Sequence, residues 1–541
     1  MPKKLLPPRS LWSMIFILLA ANIIVSAKSI NYDRDSLILA YVKNGNLEDL
    51  SSILTRDTDI NGRFGKRERT LLTYAIENRQ LEITRYLLSK GADIEQQDGT
   101  KTPLMFAARY ANIDFSKLLI ENGADINSIN HDRNTAFHYA AKYNNFDVLK
   151  FLYENGAKIN IPNKDQWTAL DYSIINNRPL LRHYLDSIGC RLFEKKLPEY
   201  FDGPYIRQVN DSVLRVDYLK NSGAKNKSSI ISKEIITDGA TGFKGLKKDK
   251  NNYTIIPEPE IQASSYDMPS KIFVMGDVHG QYTRMLEMLR AGGVINRKND
   301  WTYGDGHLVF VCDIPDRGEG VMEAYWLIYK LEQQAEKSGG KVHLILGNHD
   351  IMIMKNDIRY IANKYYGLTT NLDIEYYKLF SDKTIIGKWL RTKNVVETIG
   401  NTMFVHAGIS PELASKGMSI EEINKAFRHL LNQQDKNSYN ELDKFLASSY
   451  GPVWYRGYLR GSGPYEAIKE STLDSIFLEY KVKQAVVGHT EIDLIIPVKN
   501  GKVYPVNIPL ANDRIIGQAL IIKEGYFYRL DTDKKITQLN K

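Results

Sequence analysis

Cysteine is almost missing from this chain: Cys190 and Cys312 are the two thiols among 541 residues. Two thiols exclude a disulfide framework and leave at most one bridge. Long apolar runs are missing too, with one exception at the start. From Leu11 to Val25 the run is about fifteen residues, short of the roughly twenty a spanning helix needs. Lys3, Lys4 and Arg9 precede it and Val25-Ser26-Ala27 closes it, so residues 1–27 read as a secretory signal peptide. The expected location is therefore periplasmic or secreted; a membrane enters only if the leader stays uncleaved. A strong charge bias is absent as well. The formal charge is +8, and removing Lys3, Lys4 and Arg9 lowers it to +5. That excess is diffuse along the chain, with no basic and aromatic stripe, so no nucleic acid partner is expected.

What is present is a soluble globular composition, 43% apolar and 25% charged. The length requires more than one domain. Between residues 35 and 190 the sequence repeats. Thr70-Leu-Leu-Thr-Tyr-Ala, Thr102-Pro-Leu-Met-Phe-Ala-Ala, Thr135-Ala-Phe-His-Tyr-Ala-Ala and Thr168-Ala-Leu-Asp-Tyr-Ser begin successive units spaced by 32, 33 and 33 residues. Later in the units stand Gly91-Ala92, Gly123-Ala124, Gly156-Ala157 and Gly189-Cys190. This pattern resembles ankyrin repeats. The resemblance implies an all-α solenoid of short helix pairs, each burying its apolar face against its neighbours. Residues 35–60 read as a degenerate N-terminal cap. The repeats are expected to bind a protein partner, with a rigid spacer as the plainer alternative. His138 is expected to tie its repeat together.

Residues 191–268 read as a β-containing connector. Asp202-Gly-Pro-Tyr205 is a turn signal, and Ser212 to Tyr218 alternates like a half-buried strand. The Lys-rich stretch from Lys220 to Asn252 reads as a long surface loop.

Histidine is scarce as well, at ten residues. Four stand in short blocks: Gly276-Asp277-Val278-His279-Gly280, Gly347-Asn348-His349-Asp350, His406-Ala407-Gly408 and Gly488-His489-Thr490. Cys312-Asp313-Ile314-Pro315-Asp316-Arg317-Gly318 lies between the first two. A β-like apolar run precedes each block, so carboxylate, imidazole and amide ligands are delivered from strand ends. Such hard and borderline ligands suit divalent cations. His131, His138, His183, His307, His343 and His429 match no block and are expected to be structural or solvated.

The blocks resemble the phosphoprotein-phosphatase branch of the calcineurin-like metallophosphoesterases, and within it the bacterial Shewanella-like group. The likeness runs from about Asp202 to Tyr528, including Trp301 to Phe310 and Gly451-Pro-Val-Trp-Tyr-Arg-Gly457. It implies an α/β sandwich over residues 269–530, with two mixed sheets flanked by helices. It implies two divalent metal ions, manganese, iron or zinc: Asp277, His279 and Asp313 for one, and Asp313, Asn348, His406 and His489 for the other. It makes His349 the proton donor and Asp316 its orienting carboxylate. Arg317 and Arg456 become the phosphate-binding arginines, with Arg460 competing for the second place. Cys312 stands where the family has glycine, and Asp350 where it has glutamate. The expected activity is hydrolysis of phosphate monoesters on a phosphorylated protein, at Tyr or at Ser/Thr. A nucleotidase or dinucleotide polyphosphate hydrolase is the alternative on the same scaffold. An ankyrin adaptor with an inactive phosphatase domain is the alternative of another class.

Overall fold

The structure, a computed structural model, describes residues 34–540 except 56–57, 66–67, 111–112, 177, 196, 211, 224–226, 237–240, 246–251, 434–435, 460–465 and 513–514. Residues 1–27, where a signal peptide is expected, Arg460 and the side chain of Cys312 lie outside what it describes. Among the described residues no helix is long and apolar enough to cross a membrane. The chain divides into two compact units between Phe193 and Glu194.

The first unit is built from helix pairs. They are α1 (Arg34–Asn44) with α2 (Leu47–Ile53), α3 (Leu71–Glu77) with α4 (Leu81–Ser89), α5 (Pro103–Arg109) with α6 (Ile113–Glu121), α7 (Ala136–Lys142) with α8 (Phe146–Glu154), and α9 (Ala169–Ile175) with α10 (Pro179–Ser187). The stretch read as a degenerate cap thus holds a complete pair. Thr70, Thr102 and Thr135 start their helices as N-caps, each hydroxyl accepting from the amide three residues on. Gly91, Gly123, Gly156 and Gly189 all have φ between 82° and 94°, the left-handed turn that a β-carbon disfavours. Side chains then stitch one repeat to the next. The amides of Asp93, Asp125, Lys158 and Arg191 donate to Asn61, Glu95, Asn127 and Asn160 at 2.7–2.8 Å. His138 is buried, accepting from the Thr135 amide at 3.1 Å and donating from Nε2 to the Trp167 carbonyl at 3.1 Å. Burial holds this imidazole down at about 4, so it is neutral.

The second unit opens with an antiparallel sheet of β1 (Glu199–Asn210), β2 (Val213–Ser222) and β3 (Ser228–Ile236). The hairpin β4 (Thr241–Lys244) and β5 (Asn252–Ile255) follows. The expectation of a surface loop from Lys220 to Asn252 is therefore corrected. β3 is an edge strand whose residues are half-buried or exposed, so it lacks the apolar alternation that marks a strand packed on a core. Asp202-Gly-Pro-Tyr205 is likewise an irregularity inside β1 rather than a turn between elements.

Two larger sheets form the centre of this unit. One has the order β16 (Ile536–Gln538), β15 (Tyr526–Asp531), β14 (Gln518–Lys523), β7 (Lys271–Met275), β8 (His307–Cys312), β9 (Lys341–Leu346). The other runs β13 (Val503–Pro505), β12 (Gln484–Val487), β11 (Thr402–Val405), β10 (Val396–Ile399), β6 (Ser265–Tyr266). Both are mixed: β7, β8 and β9 pair in parallel while β14 returns antiparallel, and β10 pairs antiparallel with β11. Between them a buried apolar core joins Ile272, Val274, Val309 and Val311 to Phe404, Val486 and Tyr504. Strands covered on both faces read as continuous apolar runs, which is why each block follows one. Helices α11 (Tyr282–Ala291), α12 (Val321–Lys337) and α13 (Asn348–Met354) follow the first three blocks.

Candidate metal centre

Five strands, β7, β8, β9, β11 and β12, end at the same rim of the sandwich, and each delivers one block. The β7 and β8 loops are laced together. The amides of Val278 and His279 donate to the Asp313 carbonyl at 2.9 and 3.0 Å, and Gly280 donates to Ile314 at 2.8 Å. In these loops His279, Asp316 and Arg317 have φ of 47°, 72° and 60°, and His489 sits at 60°. Such left-handed backbone costs about 1–2 kcal/mol per non-glycine residue. Its concentration here marks a site whose side chains are aimed by strained loops. Two glycines permit the close approach. A β-carbon on Gly347 would stand 2.0 Å from Asp313 Oδ1, and one on Gly488 would stand 2.4 Å from the Val311 carbonyl oxygen.

The six expected ligands converge and all six are buried. His406 Nε2 lies 3.1 Å from Asn348 Oδ1 and 3.3 Å from Asp313 Oδ2. Two ligands about 2.1 Å from one ion, at roughly a right angle, stand about 3 Å apart. The ligand atoms of Asp313, His406 and His489 lie within 4.8 Å of one another, as do those of His279, Asp313 and His349. His349 belongs to that second group by nearness alone. Its Nδ1 meets Asp316 Oδ2 at 2.5 Å, and its Nε2 is 4.0 Å from Asp313 Oδ2. Asp277 is the better donor there, with Oδ2 3.9 Å from His279 Nε2. His279 Nδ1 donates to the Pro315 carbonyl at 3.0 Å, which leaves Nε2 as a bare lone pair.

Do these residues fit a metal? The buried His489 Nε2 and His406 Nδ1 have no hydrogen-bond partner, an expensive condition unless something else occupies them. Burial, with the Asp313 carboxylate beside it, pushes Asp277 up to about 7 although His406 draws it down. Burial likewise holds His489 well below its usual value, keeping it a neutral imidazole. Asp313 goes the other way: burial opposes its charge, but His406 and His349 outweigh that and hold it low. Burial would lower His406, but Asp313 outweighs it and raises it to about 9, so this imidazole gives up a proton on binding an ion. With it, neutral His279 and His489, an amide oxygen and two buried carboxylates are a donor set that suits a divalent cation.

The remaining expected residues surround this cluster. Arg317 reaches Glu491 Oε1 at 2.7 Å. Arg456 donates to the His489 carbonyl at 3.3 Å and lies 3.4 Å from Thr490 Oγ1. A cleft of about 720 Å³ opens over Asp277, His279, Arg317, Glu491 and Asn507. Asp350 points away from the cluster, accepting from the Gly347 amide at 3.0 Å and from Tyr325 at 2.6 Å. Aspartate in place of glutamate therefore caps the start of α13 and removes no ligand.

Four contributors escaped the sequence reading. Asn507, after β13, donates to Asp277 Oδ2 at 2.5 Å. Tyr325 braces Asp350 from α12, Glu491 pairs Arg317, and the Tyr360 ring lies 5.1 Å from that of His349. Only Glu491, two residues beyond His489, had a local signal.

Fold and site together define a class, the metallophosphoesterase-type hydrolases. Residues 270–492 match the calcineurin-like phosphoesterase family, and residues 37–130 and 104–192 match ankyrin repeats. A Schizosaccharomyces pombe protein, C1840.07c, is 32% identical over 233 residues, 41% of this chain and 67% of that protein. Shewanella-like protein phosphatase 2 of Arabidopsis thaliana is 26% identical over 284 residues, 43% of this chain and 68% of the relative. The crystal structure of a cold-active protein-tyrosine phosphatase from a psychrophilic Shewanella is 30% identical with a TM-score of 0.57, covering 63% of this chain and all of that one. The chain belongs to the calcineurin-like phosphoesterases, with Shewanella-like protein phosphatases among its homologues and ankyrin repeats before the hydrolase domain.

Proposed function

We propose that this hydrolase removes phosphate from phosphorylated proteins, using two divalent cations, with phosphotyrosine as the preferred ester. The observation that carries the reading is the buried cluster of Asp277, His279, Asp313, Asn348, His406 and His489 with the His349–Asp316 pair at its edge. In this reading Asp277, His279 and Asp313 hold one ion, and Asp313, Asn348, His406 and His489 hold the other. Bound there, the ions would offset phosphoryl charge and acidify a water at neutral pH. Arg317 and Arg456 take the phosphoryl oxygens, a task suited to planar guanidinium donors. Arg317 must then leave Glu491, an exchange that its half-exposed position permits.

His349 carries the proton for the leaving oxygen. Burial alone would lower its pKa, but the Asp313 and Asp316 carboxylates outweigh burial and raise it, so the donor form persists toward neutral pH. Asp316 fixes the tautomer through Nδ1 and leaves Nε2 facing the site. Two supports favour an aryl ester: the partly exposed Tyr360 ring beside His349, and the tyrosine phosphatase named among the similar structures. The leader at residues 1–27 supports action outside the inner membrane.

The test is turnover of p-nitrophenyl phosphate, and of matched phosphotyrosine and phosphoserine peptides, by chelator-treated protein given back manganese, iron or zinc. Activity that requires the ion and favours phosphotyrosine is expected. No turnover with any ion would end the phosphatase reading; a preference for phosphoserine would end the tyrosine assignment.

A further inference from the structure

Within the first unit the repeats align residues that lie far apart in the chain. Tyr74, Phe106, Tyr139 and Tyr172 occupy one position in four successive units, four residues after the capping threonine. Cations lie over these rings and bridge neighbouring repeats. The Arg69 guanidinium is 5.1 Å from the centre of Phe106, and Lys101 Nζ is 5.7 Å from Phe106 and 5.6 Å from Tyr139. Arg109 lies 5.4 Å from Tyr110 and 5.0 Å from Tyr143, and Lys142 Nζ lies 5.5 Å from Tyr172. The stacked pairs Phe106–Tyr110 and Tyr139–Tyr143 extend the stripe. The charge that reads as diffuse along the sequence is thus locally concentrated by the 33-residue stacking.

Little negative charge balances it. Glu77 is occupied by Arg69 and by the Tyr110 hydroxyl at 2.6 Å. Among the described residues neither Lys101 nor Arg109 has an ion-pair partner. The crowding is felt: burial, then Arg109, Arg69 and Lys142, lower the Lys101 pKa. Lys142 is lowered in the same way, by burial and then Arg109, against a smaller opposing pull from Asp132. An anion bound here would relieve this repulsion.

We infer that the stripe formed by Lys101, Arg109 and Lys142 over Phe106, Tyr139, Tyr143 and Tyr172 is a docking surface for an acidic polypeptide segment of a partner protein. This deepens the protein-binding reading of the repeats and rests on it. Nucleic acid fits less well. Base stacking along a strand needs several exposed ring faces, whereas Phe106, Tyr139 and Tyr172 are buried beneath the cations, at 1%, 8% and 6% exposure, and Tyr143 alone of the four is open, at 40%. Three cations are also few beside the six to ten phosphate contacts, roughly, of a nucleic-acid site. Carboxylates on an extended peptide can meet cations held over rings without displacing those rings.

The experiment uses the full chain and fluorescence anisotropy at low salt. Three labelled probes are compared: a glutamate-rich peptide, its glutamine counterpart and oligothymidylate. The acidic peptide should bind, its affinity should fall with salt, and the glutamine peptide should not bind. Arg109→Glu should weaken binding by about tenfold or more, and the gentler pair Lys101→Gln with Lys142→Gln should do the same without altered melting. Turnover of p-nitrophenyl phosphate should stay unchanged in these variants. Equal binding of both peptides, tighter binding of oligothymidylate, or affinity indifferent to the substitutions in folded protein would overturn the inference. Peptide binding without phosphatase turnover would instead sink the proposed function and leave this surface standing.

Discussion

His349 shows how one side chain's chemistry is set by its neighbours. Its Nδ1 is held by Asp316 at 2.5 Å, so any proton delivered to a leaving oxygen comes from Nε2. The importance of that proton depends on the ester. An alkoxide is a poor leaving group and needs it, whereas p-nitrophenolate leaves with little help. His349→Asn should therefore lower kcat on a phosphoserine peptide about 10²–10⁴-fold and on p-nitrophenyl phosphate far less, with metal content by elemental analysis unchanged. Equal losses on both esters, or loss of metal, would remove the proton-donor role. The six converging candidate ligands and the His349–Asp316 pair could be picked out in the sequence because strand-end motifs carry them in short blocks. Asn507, Tyr325 and Tyr360 were not, because each reaches the site from a separate element through packing alone. Asn507 meets Asp277 across 230 positions of sequence.

Elements differ in how plainly their residues announce them. The helix pairs of the repeats were readable from threonine caps, 33-residue spacing and glycine turns. β3 was not, since an edge strand pairing along β2 needs no apolar face of its own. His138 offers a test at this scale. Its imidazole is buried and neutral, with a pKa lowered from 6.5 to about 4 in the folded chain. The unfolded chain binds a proton more readily, so the stability that His138 contributes is present above about pH 6.5 and is lost as pH falls toward 4. Hydrogen exchange of residues 135–175 in the full chain should accelerate across that window. His138→Asn should flatten the dependence, because asparagine does not titrate, while lowering local stability by about 1–2 kcal/mol through the lost bond to Trp167. Exchange that ignores pH from 6.5 to 4 in the native chain would contradict this.

For the molecule as a whole, two units with separate cores imply two stabilities. The hydrolase unit buries Asp277, Asp313, His279, His406 and His489 at one rim, with two imidazole nitrogens lacking any partner. A divalent ion that binds only the folded site should raise that unit's melting temperature, by about 2.7 kcal/mol of stability at a hundredfold excess over Kd. The repeat unit, without this cluster, should melt unchanged. Calorimetry of chelated and reloaded protein checks both; a shift in neither or in both transitions would refute the assignment. The sequence by itself determined the two-part organisation, the repeat period, the strands that end in ligand blocks and the family. Those properties are written locally, in periodicity and in residues a few positions apart. Only the tertiary structure decided that Asn507 backs Asp277, that Glu491 holds Arg317, that Asp350 caps a helix instead of joining the candidate ligand cluster, and that scattered cations line up over aromatic rings. These depend on which distant segments stacking and sheet pairing bring within a few ångströms, and no local pattern records that.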